Sequence, residues 1–498
     1  MPAACRSSPG IRSADEPAWA RDRLSNILGV DACTRHRQLS WPKSGSPAVP
    51  LNTIAAAAKA LAQGNTTAEA LVDQALTRIA DPAGEGKRAF IAVHAEGARA
   101  SARAMDALRK AGRAPSRLAG IPISVKDLFD EAGHTTTAGS AVLRGAPAAK
   151  VTAPCLQRLI RAGLVVLGRT NMTEFAFSGL GVNPHYGTPA SPWDRAKRRL
   201  PGGSSAGAGV AVADQMGFAA LGSDTGGSCR IPAALNGVVG WKPTAKRVPL
   251  DGVLPLSGSL DSIGPLARSV GDCALIDALM AGGEDPTPPA ARPLAGLRLG
   301  LPRGTYLTDS MDGTVGAVFS RTLTRLATAG VRIIEFDLPE LAEIPAANAT
   351  GGFAASEAWA WHRALIAEKA DGYDPRILAR IRRGETMSAA DYIALRAARA
   401  RIIAAVAART APFDAVISPT VPLIPPRIAE VEQEADYNRI NMLLLRNTSV
   451  ANFLDRCAIS LPCNAPGEAP VGLMLMGEHG GDAALFSIAA AVESALAG

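Results

Sequence analysis

None of the seven cysteines stands in a C-x-x-C spacing, and their number is odd. That argues against a disulfide framework and for a reduced, cytoplasmic setting. The six histidines are scattered, with no H-E-x-x-H and no paired Cys/His cluster, so no metal is expected. No run approaches the ~18 uninterrupted apolar residues of a membrane span, and the opening MPAACRSSPGIRSADEPAW lacks the apolar stretch of a signal peptide. Charge of one sign is missing too. A net +7 over 498 residues, with Lys and Arg dispersed among Asp and Glu, gives no footprint for nucleic acid. What remains, 47% hydrophobic residues with 49 Gly and 36 Pro, is the composition of a turn-rich globular enzyme.

Residues 1–50 carry Pro, Ser and Arg without periodicity and read as a loose N-terminal extension. Order begins near Asn52. Thr66 to Glu69 has the spacing of a capping box before the apolar-periodic ALVDQALTRI, and AFIAV (89–93) reads as a strand. GIPISV (120–125), CLQRLIRAG (155–163) and LVVLG (164–168) continue as strand, helix, strand, which indicates an α/β sheet. A second block, 296–445, has LRLGLP and VRIIEF as strands and long Ala/Arg-rich helices, and PVGLMLMG (470–477) returns to strand and helix. No linker or repeat cuts the chain, so 51–498 is expected to be a single domain.

The sequence Gly-Gly-Ser occurs twice, ending at Ser204 and at Ser228, with AGAGVAVADQ (helix) and GFAALGSD (buried strand) between. Ser228 follows Asp224-Thr225-Gly226-Gly227 and precedes a short helix, so several backbone N–H groups can converge beside its hydroxyl as an oxyanion or anion site. A Gly-rich turn with a capping serine is the plainer reading of the same residues. A nucleophilic serine needs a base. Gly203 to Gly207 matches G-x-S-x-G but does not follow a strand, and Ser40-Trp41-Pro42-Lys43 matches S-x-x-K but contains a proline, so both matches are set aside. Lys126, at the end of an apolar strand where burial lowers a lysine's pKa, is the base candidate, with Lys242 in GWKPT a rival.

At these residues the chain resembles a family. GIPISVKD, TTTAGS (135–140), GRTNMTEFAF (168–177), PGGSSAGAG and GSDTGGSCRIPAALNGVVGWKPT together are similar to the amidase signature family, serine hydrolases with a Ser–cis-Ser–Lys triad. The resemblance covers roughly 52–498. It implies an α/β fold with a large mixed central β-sheet covered by helices on both faces. It also implies Ser228 as nucleophile, Ser204, behind a cis peptide bond from Gly203, as proton relay, and Lys126 as base. The backbone N–H groups of Thr225, Gly226, Gly227 and Ser228 would form the oxyanion hole, and no cofactor or metal is implied. Asp224 and Arg230 are expected to brace the loop through an ion pair. Ala206 stands where the motif usually has Gly or Ser, and Cys229 replaces an apolar residue, reading as a small hydrophobe.

The leading function is a free-standing amidase acting on a small-molecule amide, with a carbamate hydrolase of the same family as a variant. The alternative is the glutaminase component, the A subunit, of a glutamine-dependent tRNA amidotransferase. There the segment after KPT resembles Y-G-R-V-S-R-Y-G, whereas this chain has AKRVPLDG (245–252). A non-catalytic phosphate-binding protein would need a phosphate loop motif, and none is present. Specificity is expected in parts of 175–195 and 345–450. The apolar residues of 168–194 suggest a neutral aryl or alkyl acyl group. Oligomeric state is left open, a homodimer being one option.

Overall fold

The computed structural model describes residues 52–304 and 306–497. The extension expected over 1–50 and the S-x-x-K match at Ser40–Lys43 lie outside the described residues. Eleven strands form one sheet: β1 (Phe90–Val93), β2 (Pro122–Lys126), β3 (Val165–Thr170), β4 (Ala219–Ser223), β5 (Val239–Lys242), β6 (Ile263–Ala267), β7 (Arg298–Pro302), β8 (Arg332–Phe336), β9 (Ala415–Pro419), β10 (Ala458–Pro462) and β11 (Gly472–Met476). Their order is β1-β3-β2-β4-β6-β5-β10-β11-β9-β7-β8. The sheet is mixed. β2 runs parallel to β3 and β4, and β7 parallel to β8 and β9, while β4, β6, β5, β10, β11 and β9 pair antiparallel in succession.

Alternate residues of a strand face opposite sides of a sheet, and β5 shows what lies on each. Gly240 meets Ala233 of helix Arg230–Asn236. Its neighbour Trp241, fully buried, stacks on Phe486 of helix Asp482–Ala497 at 3.9 Å and donates from Nε1 to Asp277 of helix Val270–Ala281. Helices therefore cover both faces. A buried tryptophan so paired contributes about 0.5–1.5 kcal/mol beyond its area burial.

The segment 206–236 shows why its composition is so apolar. Helix Ala206–Ala213 is buried as far as Val212, and strand β4 and helix Arg230–Asn236 are buried along their whole lengths. A helix that is hydrophobic all round is the form such a position demands. The capping box expected at Thr66–Glu69 does not form, because the helix begins one residue later and puts Ala70 at its third position. Thr67 is the N-cap, accepting from Ala70 N–H at 3.1 Å, and the Asp106 carboxylate accepts from Ala68 and Glu69 N–H, so Glu69 is not needed as a cap.

Candidate active site

The parallel strands β2 and β4 end side by side, and both Gly-Gly-Ser loops meet there. Lys126, the last residue of β2, is fully buried. Its Nζ lies 2.7 Å from Ser204 Oγ and donates to Ser223 Oγ at 2.8 Å. The Gly203–Ser204 peptide bond is cis. Thr173 N–H donates to the Ser204 carbonyl at 3.0 Å, and Ser205 N–H to the Ser228 carbonyl at 3.3 Å, which sets the two loops edge to edge. A Cβ on Gly203 would come within 2.5 Å of Gly181 N, so only glycine fits beneath Ser204. Among the described residues no hydrogen bond joins the Ser204 and Ser228 hydroxyls.

The loop that carries Ser228 is wrapped around one carboxylate. Asp224 accepts from Gly227 N–H at 2.9 Å and Cys229 N–H at 3.1 Å, and from Arg230 Nη2 and Nε at 2.8 and 3.0 Å. Both partners of this ion pair are wholly buried, as a fork-to-carboxylate pair with further hydrogen bonds can be. Asn452 of helix Glu434–Phe453 donates to Asp224, and Thr448 of the same helix donates to the Gly226 carbonyl at 2.6 Å. This arrangement alters one expectation. Thr225, Gly226 and Ser228 N–H have no acceptor among the described residues, whereas Gly227 N–H is taken by Asp224. Three amides rather than four are free to meet an oxyanion.

Burial dominates the electrostatics. Desolvation lowers the Lys126 ammonium to about 7, against the attraction of Asp224 and Asp261. For Asp224 burial acts upward, but the Arg230 charge and hydrogen bonds prevail and hold it at about 2. Cys229, fully buried, is pushed above the range in which a thiolate forms, and it donates weakly to the Gly264 carbonyl, which fits a small hydrophobe. Lys242 is lowered by burial to about 8, but its ammonium donates to the backbone carbonyls of Pro243 and Arg456, away from both serines.

Ser228, Thr225 and Gly226 open onto a cavity of about 770 Å³. Its walls come from Ala176–Ser178, Leu256 and Leu260, Tyr306–Ser310, 344–354, Arg380 and 439–453. The segment 168–194 thus contributes three uncharged residues, while other segments add the charged Arg380, Arg439, Arg446 and Asp309. Phe175 is core, packed on His362 and Tyr373. Sequence reasoning missed Ser223, although it adjoins Asp224 at a strand end, and missed Thr448, Asn452 and Arg380, which no local pattern marks. It also missed the three-donor group that could hold a metal: His94, Glu131 and His134, with ligand atoms within 4.8 Å of one another. That group lies outside the Ser228 cavity; its imidazoles stack on each other at 4.1 Å, and Arg169 sits 3.6 Å from Glu131.

The sequence profile of the family described as Amidase matches residues 70–486. A 2-amino-5-chloromuconic acid deaminase of Comamonas testosteroni is 39% identical over 80% of this chain and 86% of its own. The A subunit of the glutamyl-tRNA(Gln) amidotransferase from Chloroflexus aggregans is 34% identical over 88% of this chain and 94% of its own. A crystal structure of an amidase superposes with a TM-score of 0.80 at 31% identity, covering 89% of this chain and 99% of that one.

Proposed function

This chain belongs to the amidase family and is an amide C–N hydrolase, and from that premise we propose that it works through an acyl-enzyme on Ser228. The observation that carries the reading is a fully buried lysine, lowered to about 7, within 2.7 Å of Ser204 beneath the cavity that Ser228 lines.

Neutral Lys126 takes the Ser204 proton as Ser204 takes that of Ser228, and Ser228 Oγ bonds to the amide carbon. The carbonyl oxygen becomes an oxyanion and accepts from Thr225, Gly226 and Ser228 N–H. As it collapses the C–N bond breaks, and the proton returns from Lys126 through Ser204 to the leaving nitrogen. Water then attacks the acyl carbon by the same relay, releasing the acid and restoring Ser228. Substrate binding closes the Ser204 to Ser228 link. Asp224 and Arg230 hold the loop and take no proton.

A fluorophosphonate is expected to add one mass label to the wild type and none to Ser228→Ala, read by intact mass. A label retained in that variant moves the nucleophile elsewhere. The glutaminase component of a tRNA amidotransferase is the second reading, favoured by the 34% identity of that relative over most of both chains. Against it stands AKRVPLDG at 245–252. Hydrolysis confined to glutamine, or dependent on partner proteins and tRNA, would reverse the preference.

A further inference from the structure

Thr225, Gly226 and Ser228 offer their amides to an oxyanion, and each amide is aimed by the plane of its own peptide. That plane is fixed when the carbonyl oxygen, which points away from the N–H, is held. The Asp224 carbonyl, ahead of Thr225 N–H, accepts from Ser262 Oγ at 2.8 Å and from Asn452 Nδ2 at 2.9 Å. The Gly227 carbonyl, ahead of Ser228 N–H, accepts from Ile231 N–H at 2.7 Å, and the Gly226 carbonyl is held by Thr448. The Thr225 carbonyl accepts no hydrogen bond among the described residues. Gly226 N–H, in the same peptide, is therefore not aimed by its carbonyl.

The Thr225 side chain supplies the anchor instead. Its hydroxyl donates to Asp261 Oδ1 at 2.5 Å. Asp261 lies two residues before β6 and is buried, and its other oxygen accepts from Leu256 and Ser257 N–H, both at 3.0 Å. The turn that presents it is tied to helix Gly352–Lys369, where Glu357 accepts from Ser257 Oγ and Ser259 N–H at 2.7 and 3.0 Å. Three donors on one buried carboxylate hold it in a single orientation. The path of the nucleophile loop does not need this carboxylate. Asp224 and Ser262 already exchange backbone hydrogen bonds, at 2.8 and 3.2 Å, and continue the pairing of β4 with β6.

We infer that Asp261 is a positioning residue: through the Thr225 hydroxyl it turns the Thr225–Gly226 peptide so that Gly226 N–H meets the developing oxyanion. The inference rests on the Ser228 acyl-enzyme reading and gives a role to a carboxylate that takes no part in its proton transfers. A donor aimed before the reaction needs no reorganisation during it. Without the anchor the peptide is free to rotate about the Thr225 backbone, and the loss falls on the transition state rather than on binding.

The test follows labelling of Ser228 by a fluorophosphonate, whose phosphoryl oxygen gains charge where the amide oxygen would. Thr225→Val removes the hydroxyl and keeps the side-chain shape. Its maximal labelling rate is expected to fall at least about tenfold, short of the 10²–10³ of an oxyanion donor lost outright, with the half-saturating reagent concentration unchanged. Thr225→Ser, which keeps the hydroxyl, should label like the wild type. Asp261→Ala should match Thr225→Val, and the double variant should be no slower than either single one, because both changes remove the same link. Should Asp261→Ala fail to fold, the two Thr225 variants decide. A wild-type rate in Thr225→Val, equal slowing in Thr225→Ser, or losses that multiply in the double variant would each overturn the assignment while Ser228 is still labelled. Absence of labelling at Ser228 in the wild type would instead remove the acyl-enzyme reading and this inference with it.

Discussion

At the scale of single residues, Lys126 is set by two opposing influences. Removal from water disfavours its charge, and the carboxylates of Asp224 and Asp261 favour it. Burial prevails, so the folded protein binds this proton far more weakly than an ordinary lysine does. A base must be neutral to act; with a value of about 7, activity should rise as pH increases through neutrality and level off above it. The pH dependence of kcat/KM on any accepted amide checks this. An acid limb centred near 10 would mean an exposed amine and exclude the buried one. Lys126→Ala should lose on the order of 10²–10⁴ in rate, the range for a lost general base.

At the scale of elements, the nucleophile loop and helix Glu434–Phe453 are fitted to each other. Gly227 has φ +132°, and a Cβ there would lie 2.1 Å from Thr448 Oγ1. Gly227→Ala must therefore displace the loop from the helix and carry the free amides of Thr225, Gly226 and Ser228 out of line. We expect kcat to fall by about 10²–10³, the effect of losing an oxyanion donor, with the far-UV circular dichroism unchanged. Retention of wild-type kcat would show that the amides do not depend on this contact. Such a fit also explains what could and could not be read from the sequence. The strand at GIPISV, the buried helix at AGAGVAVADQ and the position of Lys126 at a strand end were legible because each follows from local hydrophobic pattern. The partners of the Asp224 loop were not, since Thr448 and Asn452 lie more than two hundred residues along the chain and belong to a helix with no motif of its own. Nor could the sequence show that Gly227 N–H is consumed by Asp224. That depends on a side-chain direction that no spacing encodes.

At the scale of the whole molecule, the reading of 51–498 as a self-sufficient domain has a direct test. A chain starting at residue 51 is expected to keep wild-type kcat/KM and thermal midpoint, since Lys126, Ser204, Ser228 and the cavity all come from later residues. Loss of activity on that truncation would make the first fifty residues part of the working protein. The strand order has a different consequence. β10 and β11 come near the end of the chain yet lie in the middle of the sheet, between β5 and β9. During synthesis on a ribosome, the two halves of the sheet each present an open edge at β5 and at β9 until residues 458–476 have emerged. Unpaired edges invite pairing between chains. The nascent protein is thus most exposed to aggregation late in translation, and premature termination just before β10 would release a product with both edges bare.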